Sequence, residues 1–223
     1  MSHKIKLFFL FDHIQGTPDQ TPFCISTGID SDLLKWAFSQ GLFQWSSDQV
    51  ADWHSPVRRS LLMLDEFRLS RSTRRQLNRS NFDIRLNYQS NMVLEACIRK
   101  KLIMHGDTWM TVEYASSIKH LFSTGIAHTV SAWRNGSLVG GLIGINIGRF
   151  FSAESMFYEE TGASLACLSW LVTYLKSEGY TFIDTQVSSD VVERLGAGEI
   201  NRKEFYLLLD SAKNLSPASF SVL

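Results

Sequence analysis

Three polar side chains interrupt two segments that otherwise have the apolar character of buried strands. Glu154 is the one carboxylate among the aromatic residues of segment 149–157, and Asp184 and Gln186 lie two residues apart in segment 181–187. Because alternate residues of a strand project from one face, Asp184 and Gln186 are predicted to lie side by side. Carboxylates accept hydrogen bonds, and a neutral amide oxygen accepts a hydrogen bond but hardly takes a proton. Such groups can hold and orient a polar ligand; alternatively, each is a hydrogen-bonded residue at a strand end.

A second candidate feature is a basic stretch at 67–79, which contains five arginines and no acidic residue. Ser70 is a plausible N-cap, and the resulting helix would gather Arg71, Arg74 and Arg75 on one face by their i, i+3, i+4 spacing. Arginine guanidinium groups fit phosphate oxygens, so this face could bind a nucleic acid without reading its bases. A solvated helix face explains the same run.

Aromatic residues are dense around Trp45, which ends the run 41–45 and is followed closely by Trp53. Base stacking on an aromatic ring contributes roughly 1–3 kcal/mol, so these rings could bind adenine. Packing between two subdomains is the alternative.

The elements that must position these residues can be predicted from periodicity. Strands at 127–133 and 138–145 flank the turn Asn135-Gly136 and form a hairpin. The strand with Glu154 follows, then a nearly all-apolar helix from Ala163 to Lys176 stopped by Gly179, then the strand with Asp184.

Further elements are predicted on both sides of this core. They are a strand at 4–11, loops over 12–29, a helix capped by Asp30 or Ser31 and ended by Gly41, a strand at 82–86, a helix containing Met92 and Cys97, a helix from Thr111 to Gly125, a turn-rich link at 195–200, and a final helix from Asn201 through Leu209.

Composition restricts the class of protein. The chain has 223 residues, 44% of them apolar, which suits a globular protein with a real core. Its 22 basic and 22 acidic residues cancel, so any contact with nucleic acid must come from a local patch. Three cysteines make a disulfide framework improbable, the six histidines have no metal-ligand spacing, and no segment is long enough for a membrane span. The expectation is a soluble cytoplasmic protein without a metal.

The order hairpin, strand, long helix, strand, with Gly140-Gly141 in the middle, resembles the core of a GNAT-type acyltransferase. More narrowly, three motifs resemble bacterial leucyl/phenylalanyl-tRNA-protein transferase: Glu154-Ser155-Met156-Phe157, Ile183-Asp184-x-Gln186-Val187, and Leu195-Gly196-Ala197-x-Glu199-Ile200-x-Arg202. The segments at 41–45, 53–59, 70–75 and 108–111 also resemble parts of that family, and the resemblance covers roughly residues 26 to 207. It implies an α+β protein, with a small N-terminal domain at 1–60 and a GNAT-like domain at 61–223.

The resemblance implies an enzyme that moves leucine or phenylalanine from tRNA to the N-terminal arginine or lysine of an acceptor protein, a tag for proteolysis. Aminoacyl-tRNA is then the co-substrate, and no other cofactor is needed. Asp184 and Gln186 would act on the acceptor amine, Glu154 would fix the aminoacyl-adenosine, Trp45 and Trp109 would face the terminal adenosine, and Arg71, Arg74 and Arg75 would contact the tRNA. An apolar pocket for the transferred side chain would be built from Leu142, Phe151, Met156, Leu168, Leu171 and Ile183, which any core would also need.

The sequence departs from the family pattern near the expected adenosine surface, at Gln44, at His54 and in the turn Thr27-Gly28. These departures leave open which aminoacyl-tRNA or acceptor is used. A relative that aminoacylates a peptide or small metabolite, and a non-catalytic tRNA-binding protein, are the alternatives. An acetyl-CoA enzyme is disfavoured, because Glu159-Glu160 precedes the long helix where a pyrophosphate would bind. A monomer is favoured.

Overall fold

The computed structural model describes residues 7–9, 22–45, 50–106 and 108–220. The strands are β1 Leu7–Phe9, β2 Cys24–Ser26, β3 Phe43–Gln44, β4 Ala51–His54, β5 Arg58–Met63, β6 Asp83–Leu86, β7 Ala127–Arg134, β8 Ser137–Ile147, β9 Phe150–Tyr158, β10 Phe182–Gln186 and β11 Gly198–Asn201. The helices are α1 Ser31–Ser39, α2 Arg71–Ser80, α3 Ser90–His105, α4 Val112–Ser123, α5 Ala163–Ser177, α6 Asp190–Arg194 and α7 Arg202–Lys213, with a 3₁₀ turn at Leu64–Glu66.

The predicted hairpin forms the middle of a seven-stranded sheet. Its turn residues Asn135 and Gly136 have φ angles of 50° and 78°, the positive values that a tight hairpin turn requires. The sheet order is β11-β5-β10-β9-β8-β7-β6, and β10 and β9 are its parallel pair. This mixed sheet flanked by helices confirms the predicted α+β class.

The parallel pair brings two predicted site segments together. α5 leads from β9 back to β10, and Gly179, with φ 79°, ends the connection. β9 and β10 pair only at Ile183 with Phe151 and at Asp184 with Ser152, although β9 continues to Tyr158. The distal part of β9 and the end of β10 therefore have no ladder between them, and polar side chains can fill that position.

Two β-bulges lie at this position. Ser155 pairs with Ile143 and Ala153 with Gly144, so Glu154 is the extra residue of β9. Asp184 pairs with Leu61 and Gln186 with Ser60, so Thr185 is the extra residue of β10. Bulges redirect side chains and end pairing, and both occur beside a predicted site residue.

Apolar clusters cover the sheet on both faces. On one face α5 packs with buried residues such as Leu142, Phe151 and Ile183. On the other face α1, α3 and α4 pack with the four-stranded sheet β1-β2-β4-β3. That cluster joins Trp53 of the small sheet to Tyr114 of α4 and Ile143 of β8.

The division at residue 60 stays a prediction. The small sheet ends with β4, whereas β5 already belongs to the large sheet, so the chain passes from one sheet to the other between His54 and Arg58. The two sheets also share the apolar cluster just described.

Several predicted helix signals are confirmed. Asp30, Ser70 and Thr111 each accept a hydrogen bond from the backbone N–H three residues on, and Asn201 with Glu204 forms a capping box. α7 runs to Lys213, past the predicted end at Leu209. β2 and β11 form where loops were predicted, because β4 and β5 offer edges with which they pair.

The predicted first strand is seen as β1, and its other residues and the loop at 12–21 lie outside the described residues. Over the described part of the chain, no helix is both long and apolar enough to cross a membrane.

Candidate active site

Glu154, Asp184 and Gln186 converge on the hydroxyl of Ser152. The Gln186 amide Nε2 donates to Glu154 Oε1 at 2.6 Å and to Ser152 Oγ at 3.2 Å. Ser152 Oγ lies 3.1 Å from Glu154 Oε1 and 3.4 Å from Asp184 Oδ2. The structure therefore brings the three polar residues into one network.

Asp184 holds Gln186 by its backbone. Its Oδ1 accepts the Gln186 backbone N–H at 2.9 Å, and Gln186 has a φ angle of 64°. A positive φ is uncommon outside glycine and persists where the surroundings impose it. The Asp184 carboxylate therefore fixes the bend that directs the Gln186 side chain toward Glu154.

Arg59 neutralises Asp184. The guanidinium Nε donates to Asp184 Oδ1 at 2.8 Å and Nη2 donates to Oδ2 at 2.6 Å, and the two side chains are 1% and 0% exposed. The guanidinium lies 4.8 Å from the ring centroid of Phe43 and 4.4 Å from that of Phe205. A buried, bidentate, ring-flanked pair is rigid, so Asp184 is a fixed support beneath Gln186.

Glu154 has a different environment. Tyr114 Oη donates to its Oε2 at 2.9 Å, while its Oε1 accepts from Gln186 and Ser152. Burial raises the pKa of Glu154 to about 7, against the smaller opposing effect of these hydrogen bonds. The same burial, followed by the charge of Glu154, raises the pKa of Tyr114 well above 10. Near neutral pH Glu154 therefore exchanges between its two protonation states.

The network leaves one polar atom of Gln186 to a ligand. Both amide hydrogens have acceptors, and among the described residues no hydrogen bond reaches Oε1. This oxygen can accept a hydrogen bond and orient a donor such as an amine.

The cysteines are unsuited to nucleophilic chemistry. Burial raises the pKa of Cys24 and Cys97 to about 12 and also raises that of Cys167, so none is a thiolate near neutral pH. Within the described ranges no group of three or more His, Cys, Asp or Glu residues could hold a metal ion.

Each predicted adenosine-binding tryptophan lies one aromatic contact away from a site residue. Trp109 packs edge-on against Tyr114 at 4.8 Å, and Tyr114 bonds Glu154. Trp45, 47% exposed, lies 5.7 Å from Phe43, whose ring covers Arg59. No direct contact between the two tryptophans is observed.

Two of the three departures from the family pattern, Gln44 and His54, lie beside Trp45. His54 lies 5.7 Å from Trp45 and 6.4 Å from Phe43, and pairs with Asp52 at 3.1 Å. Gln44, which lies between Phe43 and Trp45 in the sequence, is buried.

The six predicted pocket residues differ in exposure. Leu142, Phe151, Leu168, Leu171 and Ile183 are packed in the cluster under α5, with at most 6% exposure. Met156 is 39% exposed and lines a cavity of about 300 Å³. Its other apolar lining residues are Leu69, Leu165, Val191 and Leu195.

The predicted arginines form one exposed surface on α2. Arg71, Arg74 and Arg75 are exposed, α2 contains no acidic residue, and none of the three has an ion pair with a residue that the structure describes. Ser70 Oγ caps the helix by accepting the Thr73 N–H at 3.1 Å.

Three residues of the network were not predicted from the sequence: Arg59, Ser152 and Tyr114. Arg59 ends one of the motifs that resemble the family, and Ser152 precedes Glu154 by two residues on β9, so both had a usable signal. Tyr114 lies on the buried face of α4, where its hydroxyl cannot be distinguished by pattern from a core aromatic.

Comparison with known proteins gives consistent matches. The sequence model of the family described as leucyl/phenylalanyl-tRNA protein transferase matches residues 61–210. The chain is 37% identical over 183 residues to the leucyl/phenylalanyl-tRNA–protein transferase of Chlorobaculum parvum, covering 81% of this chain and 93% of that protein. It is also 37% identical over 188 residues to the leucyl/phenylalanyl-tRNA–protein transferase of Hahella chejuensis, a match that covers 84% of this chain and 80% of that protein. A solved GCN5-related glucosamine N-acetyltransferase region of a fungal GH3 β-N-acetylglucosaminidase is 12% identical, with a TM-score of 0.46 over 76% of this chain and 22% of that one.

Proposed function

Because the chain belongs to the leucyl/phenylalanyl-tRNA protein transferase family, we propose that it transfers a leucyl or phenylalanyl group from tRNA to the N-terminus of a protein. The observation that carries the proposal at the level of residues is the network that converges on Ser152 and leaves Gln186 Oε1 without a hydrogen-bond partner in the described part of the chain. An amide oxygen held in this way suits the positioning of an amine.

The chemistry needs positioning more than a strong base. An aminoacyl ester is already activated, and an α-amino group with a pKa of about 7.7–8.0 is partly neutral at cellular pH. Well-oriented reactants can save roughly 7–11 kcal/mol of a barrier. In the proposed site Gln186 Oε1 accepts an N–H of the attacking amine, Asp184 supports Gln186, and Glu154 lies beside the aminoacyl group.

The terminal adenosine of the tRNA stacks on Trp45 and Trp109 in this proposal. The exposed face of Trp45 and the partly exposed Trp109 are available for a base. Their contacts with Phe43 and Tyr114 link the adenosine surface to Arg59 and Glu154, so a base bound there would lie near the reacting ester.

The transferred side chain occupies the cavity beside Met156. Half of the lining residues of the cavity are apolar, the others being Arg68, Ser70, Thr73, Ser164 and Arg194, and its volume of about 300 Å³ leaves room for one leucyl or phenylalanyl side chain. Leu195 both lines this cavity and belongs to the cluster under α5 that contains the other predicted pocket residues. Such a pocket separates side chains by only about 1–3 kcal/mol per methylene.

The tRNA backbone binds along α2, where three unpaired arginines face solvent. The acceptor begins with arginine or lysine, as the resemblance implies. Aminoacyl-tRNA is the co-substrate, with no additional cofactor, and the use of a tRNA supports a cytoplasmic location.

A transfer assay tests the proposal. The protein is incubated with leucyl-, phenylalanyl- and other aminoacyl-tRNAs and a peptide that starts with arginine, and the mass of the peptide is followed. We expect addition of one leucine or phenylalanine. Gln186→Ala should reduce the rate at least tenfold, whereas Gln40→Ala, which removes a glutamine that bonds Ser39 on α1, should leave it unchanged. Absence of transfer from every charged tRNA contradicts the proposal, and an undiminished rate in Gln186→Ala removes the site assignment.

A second assay tests the cavity. Val191 lines it while being 53% exposed, so Val191→Trp can narrow the cavity with little effect on folding. We expect the ratio of phenylalanine to leucine transfer to fall, because the larger ring needs more room. Leu207→Trp, at a position on α7 that is 64% exposed, is the control. An unchanged ratio would place the transferred side chain elsewhere.

A further inference from the structure

The carboxylate of Glu154 accepts hydrogen bonds from three directions. Tyr114 donates from α4 to Oε2 at 2.9 Å, and Ser152 of β9 lies 3.1 Å from Oε1. Gln186 donates from β10 to Oε1 at 2.6 Å. Tyr114 is 1% exposed, so its hydroxyl has no access to bulk water as an alternative partner.

The 2.6 Å contact between Gln186 Nε2 and Glu154 Oε1 couples the orientation of the Gln186 amide to the charge of Glu154. With Glu154 ionised, the amide must present its NH₂ group to the carboxylate, and its oxygen faces away. The reverse orientation would bring an amide oxygen to 2.6 Å from a carboxylate oxygen, which is repulsive unless Glu154 carries a proton to donate. The two arrangements therefore differ by one proton on Glu154 and one rotation of the amide.

We propose that Glu154 orients the Gln186 amide, and that Tyr114 is a positioning residue that keeps Glu154 in the ionised state that this orientation needs. Ionised Glu154 turns Gln186 Oε1 toward the acceptor amine, and protonated Glu154 turns Nε2 toward it, where a donor faces a donor. The inference rests on the proposed function for the identity of the amine, but the coupling between the two side chains is independent of it.

The two charged groups nearest to Glu154 have opposite effects on its pKa. From β10 the charge of Asp184 favours the protonated form of Glu154, and from β5 the guanidinium of Arg59 favours the ionised form. These two compensate one another because they form an ion pair at 2.6 Å. The pKa of Glu154 therefore depends mainly on burial and on hydrogen bonds. Burial raises it to about 7, and the hydrogen bonds of Tyr114 and Ser152 oppose this increase.

Tyr114→Phe tests the positioning role through a pH profile. The rate of a single turnover is measured from about pH 5.5 to 8.5 with one acceptor peptide, whose amine pKa is titrated separately by NMR and is common to all variants. Loss of the Tyr114 hydroxyl should raise the Glu154 midpoint by about one unit or more, because a hydrogen bond to a charged group is lost. The rate should then fall about five- to tenfold at pH 7 and recover near pH 8.5.

Tyr180→Phe is the matched control. Tyr180 is another buried tyrosine, 4% exposed, and its hydroxyl bonds Asn146 at 2.8 Å, so its removal affects packing without touching Glu154. The pH midpoint of the Tyr180→Phe rate profile should match that of the unsubstituted protein. A Tyr114→Phe rate lowered by one factor at every pH would show a merely structural role and overturn the proposal.

A readout without turnover separates this inference from the proposed function. The side-chain ¹⁵N resonance of Gln186 is assigned by its loss in Gln186→Ala, and its chemical shift should change with pH at the Glu154 midpoint. That midpoint should lie at higher pH in Tyr114→Phe. In Glu154→Gln the chemical shift should no longer change with pH. A Gln186 resonance that ignores Glu154 overturns the inference even if transfer occurs. If no transfer occurs but the resonance titrates as expected, the proposed function fails and the coupling stands.

Discussion

At the scale of single residues, the candidate site contains two carboxylates in opposite electrostatic situations. Asp184 is fully buried but is neutralised by two hydrogen bonds from Arg59. Glu154 has no contacting cation and is surrounded by neutral donors, and burial raises its pKa to about 7. One carboxylate is therefore a fixed support and the other titrates in the physiological range, a division of roles that recurs where sites use two acids.

Glu154→Gln should stabilise the protein in a pH-dependent way. Because the folded pKa of Glu154 lies above its unfolded value, the stability it contributes is present below about pH 4.5 and is lost as pH rises toward 7. The variant cannot ionise, so its free energy of unfolding relative to the unsubstituted protein should increase between these values and then level off. The gain should be on the order of 2 kcal/mol, below the full effect of the shift because Glu154 keeps some solvent exposure. Urea unfolding at pH 4.5, 6 and 8 measures it, and a difference independent of pH would contradict the reasoning.

Arg59→Met should be strongly destabilising, because it leaves Asp184 charged and buried. Breaking a buried pair from one side typically costs about 3–5 kcal/mol. The double variant Arg59→Met, Asp184→Leu removes both charges and should recover much of that loss while remaining inactive, since Gln186 loses its backbone support. Chemical denaturation of both variants checks this, and a double variant no more stable than Arg59→Met would argue against an electrostatic origin.

At the scale of elements, α2 differs from the other helices in having no buried residue and no acidic one. Its N-cap Ser70 and its αL residue Asn81 mark its two ends. A helix that buries so little is maintained by its caps and its few contacts, such as Leu77 near Gly162. Its exposed arginines therefore form a surface suited to an anionic partner.

Replacing Arg71, Arg74 and Arg75 together by alanine should weaken tRNA binding in a salt-dependent way. Each lost phosphate contact lowers the slope of log affinity against log salt by about 0.7–0.9, so the triple variant should lose about 2 to 3 in slope. Filter binding of an uncharged tRNA over a salt series measures this. The control is a triple variant in which Lys35, Lys176 and Lys203 are replaced together by alanine, so that the same number of positive charges is removed from other surfaces. An equal loss of slope in this control would indicate a general charge effect.

At the scale of the whole molecule, the chain after α7 acts as a strap across the α5 face of the large sheet. Arg149 Nε donates to the Ser216 carbonyl at 3.2 Å, and Tyr174 Oη donates to that of Ser219 at 2.8 Å. Phe220 stacks on His128 at 3.8 Å and lies 6.0 Å from Phe151. The family match ends at residue 210, so this strap is a feature that the family comparison does not describe.

Phe220→Ala should destabilise the whole fold, because the ring covers His128 and Phe151 of the large sheet. Loss of a partly buried aromatic ring should cost about 2 kcal/mol. Val191→Ala, which shortens an exposed side chain on α6, is the control and should cost little. Thermal and urea unfolding measure both, and an unchanged stability of Phe220→Ala would show that the strap contributes nothing.

The same region should weaken on acidification. Burial lowers the pKa of His128 to about 4, below its unfolded value, so the stability it contributes is present above about pH 6.5 and is lost as pH falls toward 4. The stability of the unsubstituted protein should therefore decline over this range more steeply than that of His128→Asn, which cannot protonate. Parallel declines would assign the acid sensitivity to other groups.

The order of the core elements, the hairpin turn, four helix N-caps and the family could all be predicted from the sequence. These signals are local: Asn135-Gly136 fits its turn alone, Ser70 bonds within its own helix, and each motif is a short run of residues. The face shared by Asp184 and Gln186 was also predicted, although the strand there is interrupted by a bulge at Thr185 rather than regular.

Only the tertiary structure decided which partners these residues have. Arg59 reaches Asp184 across 125 positions of sequence, and Tyr114 reaches Glu154 across 40. It also showed that five of the six predicted pocket residues are buried and that the sixth, Met156, lines a cavity. Hydrophobic patterning specifies that a residue is buried, but which side chains meet depends on strand register, bulges and the packing of distant segments, and that is why the charge state of the site could be derived only from the fold.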